Sequence, residues 1–194
     1  MRNATVERKT KETEITVTLT LEGTGKGDIA TSIPFLDHML DLLAQHGLFD
    51  ITIKAKGDIE VDYHHTVEDV GIALGDCLKK ALGDCKGIKR YGESSVPMDE
   101  SLGSVVLDIC NRPNLVFDTP LGQGKVGTFD VELVKEFFNA FAHHSGIALH
   151  IKVPYGDNAH HIIEAIFKSF ARALDAATTV DTRIIGVMST KGKL

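Results

Sequence analysis

Tryptophan is absent from this 194-residue chain, proline occurs five times and cysteine only three. The cysteines, Cys77, Cys85 and Cys110, show no CxxC spacing. So sparse and odd a set argues against a disulfide framework and against thiolate metal sites. Cys77 falls on the apolar face of a predicted helix and reads as a small core residue. No apolar run reaches the roughly 18–20 residues that a bilayer-crossing helix needs, so no membrane partner is expected. The N-terminal stretch MRNATVERKTKETEITV alternates polar and apolar residues and carries no hydrophobic signal region. A soluble, cytoplasmic protein is the expectation. Positive charge is not in surplus either, since the formal net charge is −6 with Lys and Arg spread along the chain. A protein that grips a nucleic-acid backbone usually shows a basic face, so no nucleic-acid partner is expected, and only local basic pockets stay open.

Histidine is what the chain has in quantity. Nine occur, and four of them form two pairs, in YHHTVEDVGIALG (Tyr63–Gly75) and AHHIIEAIFKSF (Ala159–Phe170). Each pair opens a helical pattern and is followed three residues later by a glutamate.

The echo extends beyond the pairs. TEITVTLTLEG (Thr13–Gly23) reads as the first strand, with Glu12 of RKTKETEI just before it and exposed on composition alone, and GSVVLDI (Gly103–Ile109) reads as a strand of the second half. PFLDHMLDLLAQHG (Pro34–Gly47) reads as a helix with proline at its start and glycine at its end, and its counterpart is VELVKEFFNAFAHHSG (Val131–Gly146). A strand follows each, LFDITIKAKG and IALHIKVPYG, and then the HHxxE helix. Lys54 and Lys152 lie 98 apart, as do His46 and His144, and the same offset pairs His38 with Glu136. From the histidine pairs onward the offset is 96, matching His64 with His160 and Glu68 with Glu164. Val67, Val70, Gly71, Leu74 and Leu78 then match Ile163, Ile166, Phe167, Phe170 and Leu174, one face of a helix in both copies. The expectation is an α+β fold made of internally duplicated half-domains, each a small sheet with two helices. Residues 1–194 form a single domain of two repeats, about 1–92 and about 93–194, with the boundary near a loop RYGESSVPMDE (Arg90–Glu100).

On a helix, residues three or four apart share a face while neighbours point about 100° apart. His64 and His65 therefore both reach toward Glu68, yet two adjacent imidazoles do not easily converge on one ion. HHxxE suits a two-metal site or a boundary shared between copies. A lone buried histidine is more often a hydrogen-bonded core residue than a ligand, but here the constellation recurs at matched positions. Imidazole and carboxylate without thiolate suit Mn, Fe, Zn, Ni or Co. Di-metal helix bundles use the reverse order, Glu-x-x-His, without alternating strands, and fit poorly. His46, His143, His144 and His150 stay nearer a structural role. Arg90 in GIKRYGES, Arg112 in ICNRPNL, and Ser189, Thr190 and Lys191 in the C-terminal stretch are donors that suit a phosphate, though each alone reads as a surface group. Lys168 lies one turn after Glu164, where a salt bridge and a catalytic role explain it equally.

Taken together, FLDHMLDLLAQHGLFD, DYHHTVEDVGIALG, KRYG, NRPNL, NAHHIIEAIFKSFARAL and STKGKL resemble, in this order and over nearly the whole chain, the imidazoleglycerol-phosphate dehydratases of histidine biosynthesis. The resemblance implies a fold of the ribosomal-protein-S5-domain-2 type and trimers assembling into a twenty-four-subunit shell. It also implies two Mn²⁺ per active site, completed between subunits. The implied ligands are His38, His64, His65, Glu68, His160, His161 and Glu164. Many members carry histidine where this chain has Glu136, a departure that still leaves a group able to ligate manganese. Substrate contacts are implied for Glu12, Gln45, Arg90, Arg112, Ser189, Lys191 and Lys168, and we add the neighbours His46 and Thr190. For the chemistry we expect Glu164 and Lys168 near the leaving and abstracted groups, with Glu12 as a further acid or base. The expected reaction dehydrates imidazole glycerol phosphate to imidazole acetol phosphate. A metallohydrolase acting on a phosphorylated substrate and a metal-storage shell protein are the rival expectations.

Overall fold

The computed structural model describes residues 1–193; Leu194, the last letter of the STKGKL stretch, lies outside the described residues. The first half runs β1 (Asn3–Lys9), β2 (Thr13–Thr20), β3 (Gly27–Ala30), α1 (Pro34–Gly47), β4 (Asp50–Gly57) and α2 (His64–Leu82). The second runs β5 (Tyr91–Met98), β6 (Ser101–Ile109), β7 (Asn114–Asp118), α3 (Leu133–Ser145), β10 (Ile147–Lys152) and α4 (Ala159–Thr178), with a two-residue ribbon, β8 (Lys125–Val126) and β9 (Phe129–Asp130), inserted before α3. The two principal sheets have matching orders, β1-β2-β4-β3 and β5-β6-β10-β7, each antiparallel except for the last pair. The expected α+β duplication is therefore what the chain forms.

Alternation sets the orientation of both sheets. Ile15, Val17, Leu19, Ile51 and Ile53 are buried on one face of the first sheet, and Val105, Leu107, Leu149 and Ile151 on one face of the second. Period-2 patterning of this kind leaves the other face to solvent. Helices α1 and α2 pack on the first sheet, α3 and α4 on the second, and the helices then meet across the repeat, α2 against α3 and α1 against α4. One continuous apolar core results, with Phe137, Phe138, Phe141, Phe167 and Phe170 in mutual ring contact at its centre. Each such ring contributes about 1.5–3 kcal/mol by burial. On α2, Gly71 and Gly75 make room for α3: a Cβ at either position would press on the carbonyl of Phe137 or Phe141.

Three expectations are corrected. The stretch Arg90–Glu100 is not a boundary loop but strand β5 with a tight turn at Asp99–Glu100. Its Gly, Ser and Pro content looks like a loop, yet β5 is an edge strand, where proline near the end is tolerated. Asp99 takes a left-handed conformation (φ 47°), which a two-residue hairpin turn requires. The strand at Thr13 is the second rather than the first, so Glu12 sits in the β1–β2 hairpin turn. Helix α3 begins at Leu133 instead of Val131, because β9 runs up to Asp130.

Candidate metal and active site

Both histidine pairs are placed by the same local device. Asn158 caps α4, its side-chain oxygen accepting from the backbone N–H of His160 at 2.9 Å and of His161 at 3.4 Å. At the matched position Asp62 accepts from His64 N–H at 2.8 Å. With the first turn so fixed, the paired rings diverge, their centroids 6.3 Å apart and the planes 89° apart at His64–His65 and 75° at His160–His161.

His160 turns toward α1. His38 Nε2 and His160 Nε2 each stand 3.1 Å from Glu164 Oε1, and Lys168 donates to the other carboxylate oxygen at 2.5 Å. Donor atoms bound to one ion at about 2.1 Å lie about 3 Å apart. The His38–His160–Glu164 triplet thus has the atom types and the spacing of a cation site, and no thiolate is near it. Glu164 is buried, which by itself raises a carboxyl pKa. The hydrogen bonds from Lys168, His38 and His160 outweigh that burial and bring it down to about 2, so the group is a carboxylate.

The other candidate ligands face elsewhere. His161 Nδ1 lies 2.7 Å from Glu100 Oε2, and its Nε2 lies 3.7 Å from Asp99. His65 Nδ1 lies 3.1–3.2 Å from both oxygens of Asp58 and 3.9 Å from Glu12. In each case the hydrogen-bonded carboxylate raises the imidazole pKa. His64 Nε2 stands 3.7 Å from Glu68, one helical turn on. Glu136 is half-buried on α3, lines a hollow of about 410 Å³ with Lys135 and Gln123, and forms no ion pair among the described residues.

Gln45 and His46, at the end of α1, line an open cleft of about 430 Å³ with Glu93, Arg172 and Asp175. Burial pushes the His46 pKa down, and the charges of Lys168 and Arg172 add to the effect. Arg90 is buried with its fork on Asp108 (2.6 and 2.9 Å), and it donates to the Met188 carbonyl at 2.8 Å, which draws the segment bearing Ser189, Thr190 and Lys191 to its side. Arg112 is exposed after β6, and Glu12 is half-exposed in its hairpin turn. Sequence reasoning missed Asp58, Asp99 and Glu100, the carboxylates nearest His65 and His161.

The sequence profile of the imidazoleglycerol-phosphate dehydratase family matches residues 31–174. The chain belongs to that family. An imidazoleglycerol-phosphate dehydratase of Geobacter sulfurreducens is 62% identical over 193 residues, which is all of this chain and 99% of the relative. One from Acetivibrio thermocellus is 60% identical, covering 97% of both. Among solved structures of the family, the Staphylococcus aureus enzyme superimposes with a TM-score of 0.84 at 40% identity, covering 92% of this chain and 99% of the other. The Pyrococcus furiosus enzyme gives 0.83 at 38% identity, covering 97% and 100%. These two family structures share the α+β architecture described above. No helix among the described residues is long and apolar enough to cross a membrane.

Proposed function

We propose that the chain is a manganese-dependent hydro-lyase that converts imidazole glycerol phosphate to imidazole acetol phosphate and water in histidine biosynthesis. The convergence of His38, His160 and Glu164 from opposite halves of the duplication carries this reading, together with membership of the family. The hydroxyl on the carbon beside the ring leaves, the neighbouring carbon gives up its hydrogen, and the resulting enol becomes the ketone. Held by His38, His160 and Glu164, Mn²⁺ would supply Lewis-acid stabilisation of the negative charge that develops on the imidazole.

The chain's own residues supply the rest. Glu164, held ionised, is suited to hold an ion and to fix the catalytic Lys168 beside it. Lys168, its partner at 2.5 Å, would supply the ammonium that donates a proton to the departing hydroxyl. Glu12 is the further acid or base. Gln45 and His46 contact the substrate from the end of α1. Arg112, Ser189, Thr190 and Lys191 hold the phosphate away from the bond-breaking atoms, with Arg90 fixing the C-terminal segment, a positioning role.

Among the described residues, His38, His160 and Glu164 are the candidate ligands that one chain brings together, and His64, His65, Glu68, Glu136 and His161 lie apart from them. A second copy is the natural source of the remaining donors, in trimers that build a twenty-four-subunit shell. Exposed Ile185, at 97% accessibility, and Val106 on the open face of the second sheet offer apolar surface for such contacts. The enzyme works in the cytoplasm.

The test is to strip the protein with chelator and supply imidazole glycerol phosphate with and without Mn²⁺, following imidazole acetol phosphate. Turnover restored by metal is the expected result. No turnover despite tight binding of about two ions per subunit overturns the dehydratase reading, and hydrolysis of ordinary phosphoesters identifies a metallohydrolase instead.

A further inference from the structure

The sheet registers expose an equivalence that the 98-residue offset conceals. Thr16 of β2 lies opposite Lys54, and Ser104 of β6 lies opposite Lys152. Lys54 and Lys152 are repeat partners, so Thr16 and Ser104 are partners too, at an offset of 88. Four residues earlier the same offset pairs Glu12 with Glu100, each in its hairpin turn immediately before the strand. The buried pairs agree: Thr13 with Ser101, Val17 with Val105 and Leu19 with Leu107.

The two turn glutamates stand beside the second histidine of their half's HH pair, but at different distances. Glu100 is in hydrogen-bond contact with His161 Nδ1 at 2.7 Å, whereas Glu12 stops 3.9 Å short of His65 Nδ1. In the first half Asp58, from the β4–α2 loop, takes the contact with both oxygens. A carboxylate only accepts, so Nδ1 carries the hydrogen in both histidines, and in the neutral ring Nε2 is then the nitrogen that bears the lone pair.

We infer that Glu100 and Asp58 are positioning residues that fix the tautomer and ring orientation of His161 and His65 for metal binding, and that Asp58 thereby releases Glu12 for contact with substrate. This rests on the metal-site reading above. The Glu100 carboxylate is held by more than His161. Its Oε1 also accepts from Ser101 Oγ at 2.9 Å and from the N–H groups of Asp157 and Asn158 at 3.4 and 3.0 Å. A purely bracing role is therefore the alternative to defeat.

The experiment uses the assembled enzyme, with Mn²⁺ affinity read from the paramagnetic signal of free Mn²⁺ and the melting temperature read on the metal-free protein. Carboxylates that orient a ligating imidazole are worth about 10- to 100-fold in metal affinity. Glu100→Ala and Asp58→Ala are expected to weaken Mn²⁺ binding by that factor. Glu100→Gln and Asp58→Asn, whose amide oxygens still accept from Nδ1, recover most of it. Glu12→Ala keeps the affinity and loses turnover. Alanine variants that lower the metal-free melting temperature but bind Mn²⁺ normally overturn the proposal in favour of bracing. A loss of affinity in Glu12→Ala equal to that in Asp58→Ala overturns the division between the two carboxylates. His161→Ala is the control: unchanged Mn²⁺ binding there refutes the metal assignment of His161 itself.

Discussion

Replacing Lys168 by methionine isolates the electrostatics of the site, because methionine keeps most of the buried stem and removes only the charge. Glu164 is 9% exposed and Lys168 16% exposed, so solvent screens their 2.5 Å contact little. The Glu164 carboxyl falls from an ordinary 4.5 to about 2 in the folded chain, which corresponds to about 3 kcal/mol of stability at neutral pH. Because the folded value is the lower one, that stability is present above pH 4.5 and is lost as pH falls through about 2. Lys168 contributes most among the three groups that hold the carboxylate charged, ahead of His38 and His160. Lys168→Met should therefore cost about 2 kcal/mol at pH 7, shrinking to about 1 or less at pH 3 as Glu164 protonates. Urea denaturation of chelator-treated protein, followed by circular dichroism at one fixed concentration, measures both gaps. A gap of equal size at the two pH values would show that the loss lies in packing and would refute the electrostatic account. No gap at all would refute the pairing.

Gly103→Ala places a methyl group against the Ala165 carbonyl and 2.9 Å from Ile166 N, backbone that has nowhere to go. The variant should lose about 1–3 kcal/mol of stability and also bind Mn²⁺ less well, since α4 carries His160 and Glu164; a melt and a metal titration check the two effects. Cys77 and Cys110 are buried, and burial pushes the Cys77 thiol up to about 11. A thiol reagent should leave both untouched in the native protein and find all three cysteines only after denaturation; rapid native labelling of Cys77 would contradict the packing of α2 on β1 and β2.

Helix α1 was legible to the residue, because Pro34 and Gly47 punctuate it and the apolar stripe between them has one period. The histidine pairs were legible as helix starts for a similar reason, since Asp62 and Asn158 are side chains that satisfy a helix's first N–H groups. Strand β5 was not legible. Gly92 reads as a loop residue, but it is glycine because the Ala173 carbonyl of α4 occupies the space of a side chain. That is a fact of tertiary packing, invisible to composition. The same limit hid Glu100 and Asp58. Their partnership with the histidines depends on hairpin and loop lengths that shift the repeat offset from 98 to 88, which only the strand register reveals. Composition alone reads Glu12 as exposed, and its side chain is 54% exposed. What composition could not supply was its distance from His65.

Helix α1 leans on α4 and α2 on α3, so each helix bearing a candidate ligand rests against one from the opposite copy. Cut the chain between its halves and neither fragment owns the His38–His160–Glu164 triplet. A half-length chain would have to meet a second molecule to possess that triplet, at a concentration-dependent cost. Carrying both copies in one chain makes the encounter intramolecular, with an effective concentration on the order of millimolar or above. It also lets the two copies differ. Gly71 opposite Phe167, Glu136 opposite His38, and Asp58 standing in for a turn glutamate are what two copies can become once they are inherited together.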